Sequence, residues 1–209
     1  MIKALLLLIR PVQTWEGIDR SARSIAFILF AHLLPLILLT SVLEGYGLMQ
    51  WGRKRQSGMA FVKLYELREV IVIETAQGLL LVGMVLLGAY AAKVFADTFH
   101  RRHTYRQAFT AVAYGCAPLI TLRLGDLLTG INPWIPWAVG LVLTIAVLYH
   151  GLPCLLKPDP PHAFGLFVMT SLTLAIINAM VRVVTWSYFL GRFPAAEKFI
   201  IDLVGGAPL

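Results

Sequence analysis

The chain is expected to be an all-α, polytopic membrane protein: five transmembrane helices preceded by an N-terminal interfacial amphipathic segment. Three observations predict this. Five apolar stretches, 24–43, 70–95, 108–128, 133–156 and 164–190, each approach or exceed the ~20 residues that a helix needs to cross a hydrocarbon core of about 30 Å. Hydrophobic residues make up 58% of the 209 and charged ones 14%, and the mean hydropathy is +0.76, so lipid is the expected main solvent. The longest stretch between spans, 44–69, is too short to hold a core of its own, given that independent domains rarely fall below ~40 residues. Because lipid offers no partner to an unpaired backbone group, helices are the form these stretches must take.

Residues 1–23 precede the first span. Lys3 ahead of the apolar run 4–9 imitates a signal peptide, but Arg10 and Pro11 end that run early and no small-residue cleavage site follows. Lys3 and Arg10 share a helix face while Leu5, Leu6, Leu8 and Ile9 offer apolar area, a pattern suited to lying in the headgroup boundary, the other reading being a helix packed against the bundle. Thr14 is placed to cap a second short helix carrying Trp15 and Ile18. Span one follows Arg20 and Arg23 and contains His32 beside Pro35; such a histidine is expected to be a hydrogen-bonded core residue. The loop after it holds Arg53, Lys54 and Arg55, then Phe61, Val62, Leu64, Tyr65 and Leu67 at the spacing of a short surface helix. Asn132-Pro133 predicts a tight turn between spans three and four, and Lys157-Pro158-Asp159-Pro160-Pro161 a stiff one before span five. A tail, 191–209, ends the chain. Counting Lys and Arg in alternate loops gives nine on the side of the N-terminus against seven opposite, which favours a cytoplasmic N-terminus and a C-terminus across the membrane.

The ionisable residues inside the spans sort by depth. Glu74, Arg123, Asp126 and Arg182 fall at one level on spans two, three and five, forming a buried charged layer. Arg123 and Asp126, three apart, are expected to pair locally, leaving Glu74 and Arg182 to complete the cluster. Three readings stay open: a paired lock that fixes helix register, a proton, ion or headgroup site, and snorkelling to the interface. At the opposite level lie His100, His103, His150, Cys154 and His162; two arginines, Arg101 and Arg102, sit between the first two, and no metal site is expected. Cys116 and Cys154 both fall within spans, so no disulfide framework is expected. Ser171, Ala175 and Ala179 on span five, and Gly88 and Ala92 on span two, form small-residue stripes for close helix approach, with Asn178 beside the first. Trp134, Trp137 and Tyr149 suit the span ends.

The order of these parts resembles the Yip domain family, small five-span membrane proteins named for interaction with Ypt/Rab GTPases and also present in bacterial inner membranes. The resemblance is carried by Pro11, Trp15 and Ile18 before the first span, by Ala113-Tyr114-Gly115-Cys116-Ala117-Pro118 opening the third, and by Tyr149-His150-Gly151-Leu152 closing the fourth. It covers nearly the whole chain, with 24–190 as the five-helix domain. The long N-terminal region of the eukaryotic branch, with its Asp-Leu-Tyr-Gly-Pro motif, has no counterpart here, so the likeness is to the compact bacterial branch and Rab binding is not expected. What the resemblance implies is an inner-membrane protein with a cytosolic N-terminus, no catalytic residues and no cofactor.

No Ser/His/Asp or HExxH arrangement supports an intramembrane enzyme, and no basic groove with interleaved aromatics supports nucleic-acid binding. The expected function is a noncatalytic scaffold or accessory subunit of a larger inner-membrane complex, whose partners are membrane lipids and other membrane proteins or a second copy. The alternative is a transporter or channel component using the charged layer, although five spans without an internal repeat argue against a lone carrier.

Overall fold

In the computed structural model the described residues are 6–7, 10–54, 62–98, 104–128, 131–195 and 198. They form helix α1, Pro11–Ser21, followed by five long helices: α2, Ile25–Gln50; α3, Leu67–Thr98; α4, Tyr105–Leu127; α5, Trp134–Leu156; and α6, Ala163–Phe189. All five are long and apolar enough to cross a membrane. At 1.5 Å per residue, α3 with its 32 residues runs about 48 Å, well beyond a hydrocarbon core, so its ends reach the headgroup layers or the helix tilts.

Helix α4 sits innermost. In its most apolar 18-residue window 72% of residues are buried, against 28% for α6. Its sequence explains this. Ala108, Ala111, Ala113, Gly115 and Ala117 let neighbouring backbones close in, and its window hydropathy of 1.3 is the lowest of the five because much of its surface meets protein instead of lipid. Helix α3 packs on α4 and α6, and α5 packs on α4. The small residue Gly88 of α3 receives Leu174 of α6, where a Cβ would overlap the leucine. On α6 Ser171, Leu174 and Asn178 are buried, whereas Ala175 and Ala179 are half-buried, so the expected stripe meets the bundle at Ser171 and the face then runs through Leu174 and Asn178.

Two helices carry interruptions with a common cause. Proline has no N–H and cannot complete an intrahelical bond. In α2 the residues Leu29–Leu33, just before Pro35, open into a π-turn in which Leu34 N–H bonds Leu29 O. In α4 the α-helix breaks at Cys116, before Pro118, resumes over Ala117–Leu122 and tightens to a 3₁₀ turn over Arg123–Leu127.

Three expectations are corrected. Helix α2 continues past Leu43 to Gln50, placing Glu44 inside the helix; Thr40, Glu44 and Leu48 share its buried side, so packing carries the helix through a charged position. Val62–Lys63 is a strand paired antiparallel with Arg53–Lys54, not a surface helix. Tyr65 then donates its N–H to Leu48 O at 3.4 Å and packs edge-on against Phe189 at 6.0 Å, contacts unavailable to a helix lying free on the surface. At the N-terminus, Thr14 is no cap: α1 begins at Pro11, and the Thr14 hydroxyl donates to Arg10 O at 2.7 Å. The α1 face carrying Trp15 and Ile18 is turned onto the bundle, with Trp15 fully buried. Asn132 makes the expected turn, its side-chain oxygen accepting from Trp134 N at 3.1 Å.

Candidate functional site: a charged layer at one end and an aromatic joint at the other

At the end of the bundle where α2 finishes and α3 begins, Arg123 is the centre of the charged layer. The 3₁₀ turn of α4 presents it to α2 and α3, where its Nε lies 2.5 Å from Glu44 Oε2 and its Nη2 lies 2.5 Å from Glu74 Oε2. The same Nη2 bonds Gln77 Oε1, and Nη1 reaches Ser41 Oγ at 3.4 Å. Arg182 of α6 makes a two-pronged pair with Asp126, at 2.6 and 2.8 Å, and also donates to Pro133 O at 2.7 Å. Its guanidinium stands 5.9 Å from the Trp134 ring centre. Charge-assisted bonds of this geometry are the strong kind, and a matched fork fixes orientation as well as attraction.

The structure therefore brings Glu74, Arg123, Asp126 and Arg182 together, but joins Arg123 to Glu74 and Asp126 to Arg182 across helices. A guanidinium at the end of a long stem reaches a neighbouring helix easily, and each acid meets it with a lone pair already aimed. The two groups share a small cavity of about 50 Å³, lined by Gln77, Arg123, Asp126, Trp137, Asn178 and Arg182. That is room for a few waters at most. Across its wall Trp137 Nε1 donates to Asn178 Oδ1 at 2.5 Å, and Asn178 Nδ2 faces Met84 Sδ at 3.1 Å.

Sequence reasoning missed Glu44, Ser41 and Gln77. The signal for Glu44 was present: it lies one turn after Thr40 and one turn before Leu48 on the buried stripe, so a span extended by two turns includes it. Gln77 lies three residues after Glu74, on the same helix face.

At the other end, the motif residues meet. Pro11 occupies the first turn of α1, where a missing N–H costs nothing. Trp15 then inserts against Gly151 of α5, where any Cβ would overlap the indole, and its Nε1 donates to Val147 O at 3.2 Å. Tyr114 meets Trp15 edge-on at 6.4 Å and stacks on His32 at 4.2 Å and 20°. His32 is thus a buried, ring-stacked residue whose Nε2 has no hydrogen-bond partner among the described residues, instead of the hydrogen-bonded one expected. Gly115 receives Leu148, again with no space for a Cβ, and Pro118 is buried beside the break. Tyr149 lies apart, exposed, edge-on to Phe167 at 5.2 Å.

The joint has a polar latch. Asp19 of α1 and Lys157, the left-handed residue that ends α5, pair at 2.8 Å, and Arg106 donates to Ala22 O at 3.1 Å. Its bond to Asp19 raises the Lys157 ammonium above the ordinary lysine value. Of the histidine set, His100 and His103 lie outside the described residues. His150 and Cys154 line a groove of about 530 Å³ with Trp15, Glu16, Phe164 and Phe167. Among the described residues no three His, Cys, Asp or Glu side chains gather as metal ligands, and both cysteines are free.

Five apolar helices around a buried core, with Glu44, Glu74, Arg123, Asp126 and Arg182 turned inward, define a polytopic helical membrane protein. The Yip1 domain model matches residues 5–182, most of the chain, and the protein belongs to that family. No curated protein and no solved structure matches it.

Proposed function

We propose that this protein is a noncatalytic membrane scaffold or accessory subunit of a larger inner-membrane assembly, acting through helix–helix and lipid contacts. The observation that supports this is the pairing in the charged layer: the guanidiniums of Arg123 and Arg182 meet Glu44, Glu74 and Asp126 inside the bundle, as a register lock does. Outward-facing side chains of α6, among them Leu172, Ile176, Met180 and Val183, present an apolar face to lipid, to another membrane protein or to a second copy. The N-terminus is cytoplasmic in this reading and the C-terminus lies opposite, as the lysine and arginine distribution favours.

The second reading, a transporter or channel component, draws on the cavity shared by the two ion-pair groups. Reconstitution into liposomes separates the two. The scaffold reading expects no solute or proton flux above protein-free vesicles, together with a membrane partner or second copy retained through mild extraction. Flux that disappears in folded Glu74→Gln and Arg182→Gln protein would establish the second reading instead.

A further inference from the structure

The arginines at the aromatic end are matched differently from those of the charged layer. Where α1 gives way to α2, a small pocket of about 40 Å³ is lined by Asp19 and Ala22, by Arg23, and by Arg106, Gln107 and Tyr114 of α4. Ala22 has a φ of 39°, and this left-handed turn ends α1 with its carbonyl 3.1 Å from Arg106 Nη1. Arg106, Thr110 and Tyr114 recur every four residues, so one side of α4 forms the inner wall. Asp19 is the only acid along the described lining, and Lys157 holds it at 2.8 Å. Arg23 has no carboxylate partner among the described residues; its guanidinium stands 4.3 Å from the Phe27 ring centre. Arg106 also meets no carboxylate there and spends one N–H on Ala22 O.

We propose that Arg23 and Arg106 bind a phosphate group in this pocket, carried by an anionic lipid headgroup or free in water. Two guanidiniums without carboxylate partners match the spread charge and several acceptor oxygens of a phosphate, which a point charge does less well. The pocket has space for the oxygens of one such group, with the rest of the molecule left outside. Its depth suits the headgroup layer, since Arg23 lies two residues before α2 begins and Arg106 is the second residue of α4. Phosphate is the anion that this layer supplies, and basic side chains at its level attract anionic lipid. Beyond Arg23 along α2, Phe27 is 44% exposed and Phe30 68%, an apolar path for a chain attached to the phosphate.

An occupant held by both arginines ties the α1–α2 joint to α4, because Arg23 follows α1 directly and Arg106 already grips Ala22. Binding therefore tightens the same joint that Trp15 and the Asp19–Lys157 pair close. The site rests on the lipid contacts of the proposed function, whereas the flux and partner tests of that reading do not depend on it.

Electron spin resonance of the full chain in phosphatidylcholine vesicles, with a trace of spin-labelled phosphatidylglycerol or phosphatidylcholine, reads how much of each lipid the protein holds. The expected result is a preference of about fivefold for phosphatidylglycerol, the scale of one arginine's attraction to an anionic surface. That preference falls in Arg23→Gln and in Arg106→Gln. It is kept in Arg20→Gln, which removes the same charge from an exposed arginine of α1. Phosphorus NMR of inorganic phosphate with the protein in phosphatidylcholine nanodiscs separates the two sources. Line broadening that Arg106→Gln removes assigns the site to free phosphate, and lipid preference without broadening assigns it to the headgroup. Equal holding of both labelled lipids together with no broadening overturns the site, and both measurements use the unaltered protein. A preference lowered as much by Arg20→Gln as by Arg23→Gln overturns it too, because charge anywhere at that end would then suffice.

Discussion

The two ends of the bundle are held by different physics. At the charged end Arg123 and Arg182 join α4 to α2 and α3, and α6 to α4, through ion pairs whose worth lies mostly in what their loss would cost. At the aromatic end α1 is held by shape: an indole fills the space that Gly151 leaves, with one hydrogen bond and one exposed ion pair to orient it. The comparison teaches that charged contacts deep in a membrane bundle are unforgiving of single changes, whereas a packed joint fails in proportion to the overlap or void introduced.

The largest effect is expected from Arg123→Gln, which removes the guanidinium that Glu44 and Glu74 share. A loss of about 3–5 kcal/mol in detergent unfolding is expected, with Glu74→Gln costing clearly less because Glu44 still holds Arg123. Equal costs for the two variants would break the picture of Arg123 as the shared centre. Next come Asp126→Asn and Arg182→Gln. Each alone should cost about 3 kcal/mol by breaking a buried ion pair from one side, and the double change should cost less than their sum by about 1–3 kcal/mol. Additive costs would mean that the pair is not a unit.

Gly151→Ala tests the other end. The added methyl must displace the Trp15 ring, at about 1–3 kcal/mol, with the loss read as greater protease access to α1; pairing it with Trp15→Leu should recover part of it. Unchanged stability would show that the indole moves freely. The smallest effect is that of Lys157. Because Asp19 raises its ammonium, the latch is intact below the ordinary lysine value and is lost only as pH rises through the raised one. Labelling a cysteine placed in α1 across that range should show α1 loosening at high pH in the unaltered protein and at all pH values in Lys157→Gln. Identical profiles would remove the latch from the account.

Much of the fold was legible because hydropathy is a local sum. Five spans and the depth of Glu74, Arg123, Asp126 and Arg182 follow from counting along the chain. The turn at Asn132 follows from local chemistry in the same way. What failed were judgements needing a neighbour. Glu44 looks like the end of a span until the guanidinium that receives it is known, and residues 62–63 look helical until the strand opposite them is in place. Ala175 and Ala179 look like the continuation of a packing stripe from Ser171 until Leu174 is seen in the notch at Gly88.

By itself, then, the sequence determined the class of protein, the span order and which charges must hide from lipid, since each rests on the cost of placing a given residue in hydrocarbon. Only the tertiary structure decided which acid meets which arginine, that α1 is anchored through Trp15, and that Glu44 joins the charged layer. Those outcomes depend on how each helix is rotated about its axis and which helix stands beside it, and small differences in packing at many contacts set that rotation together.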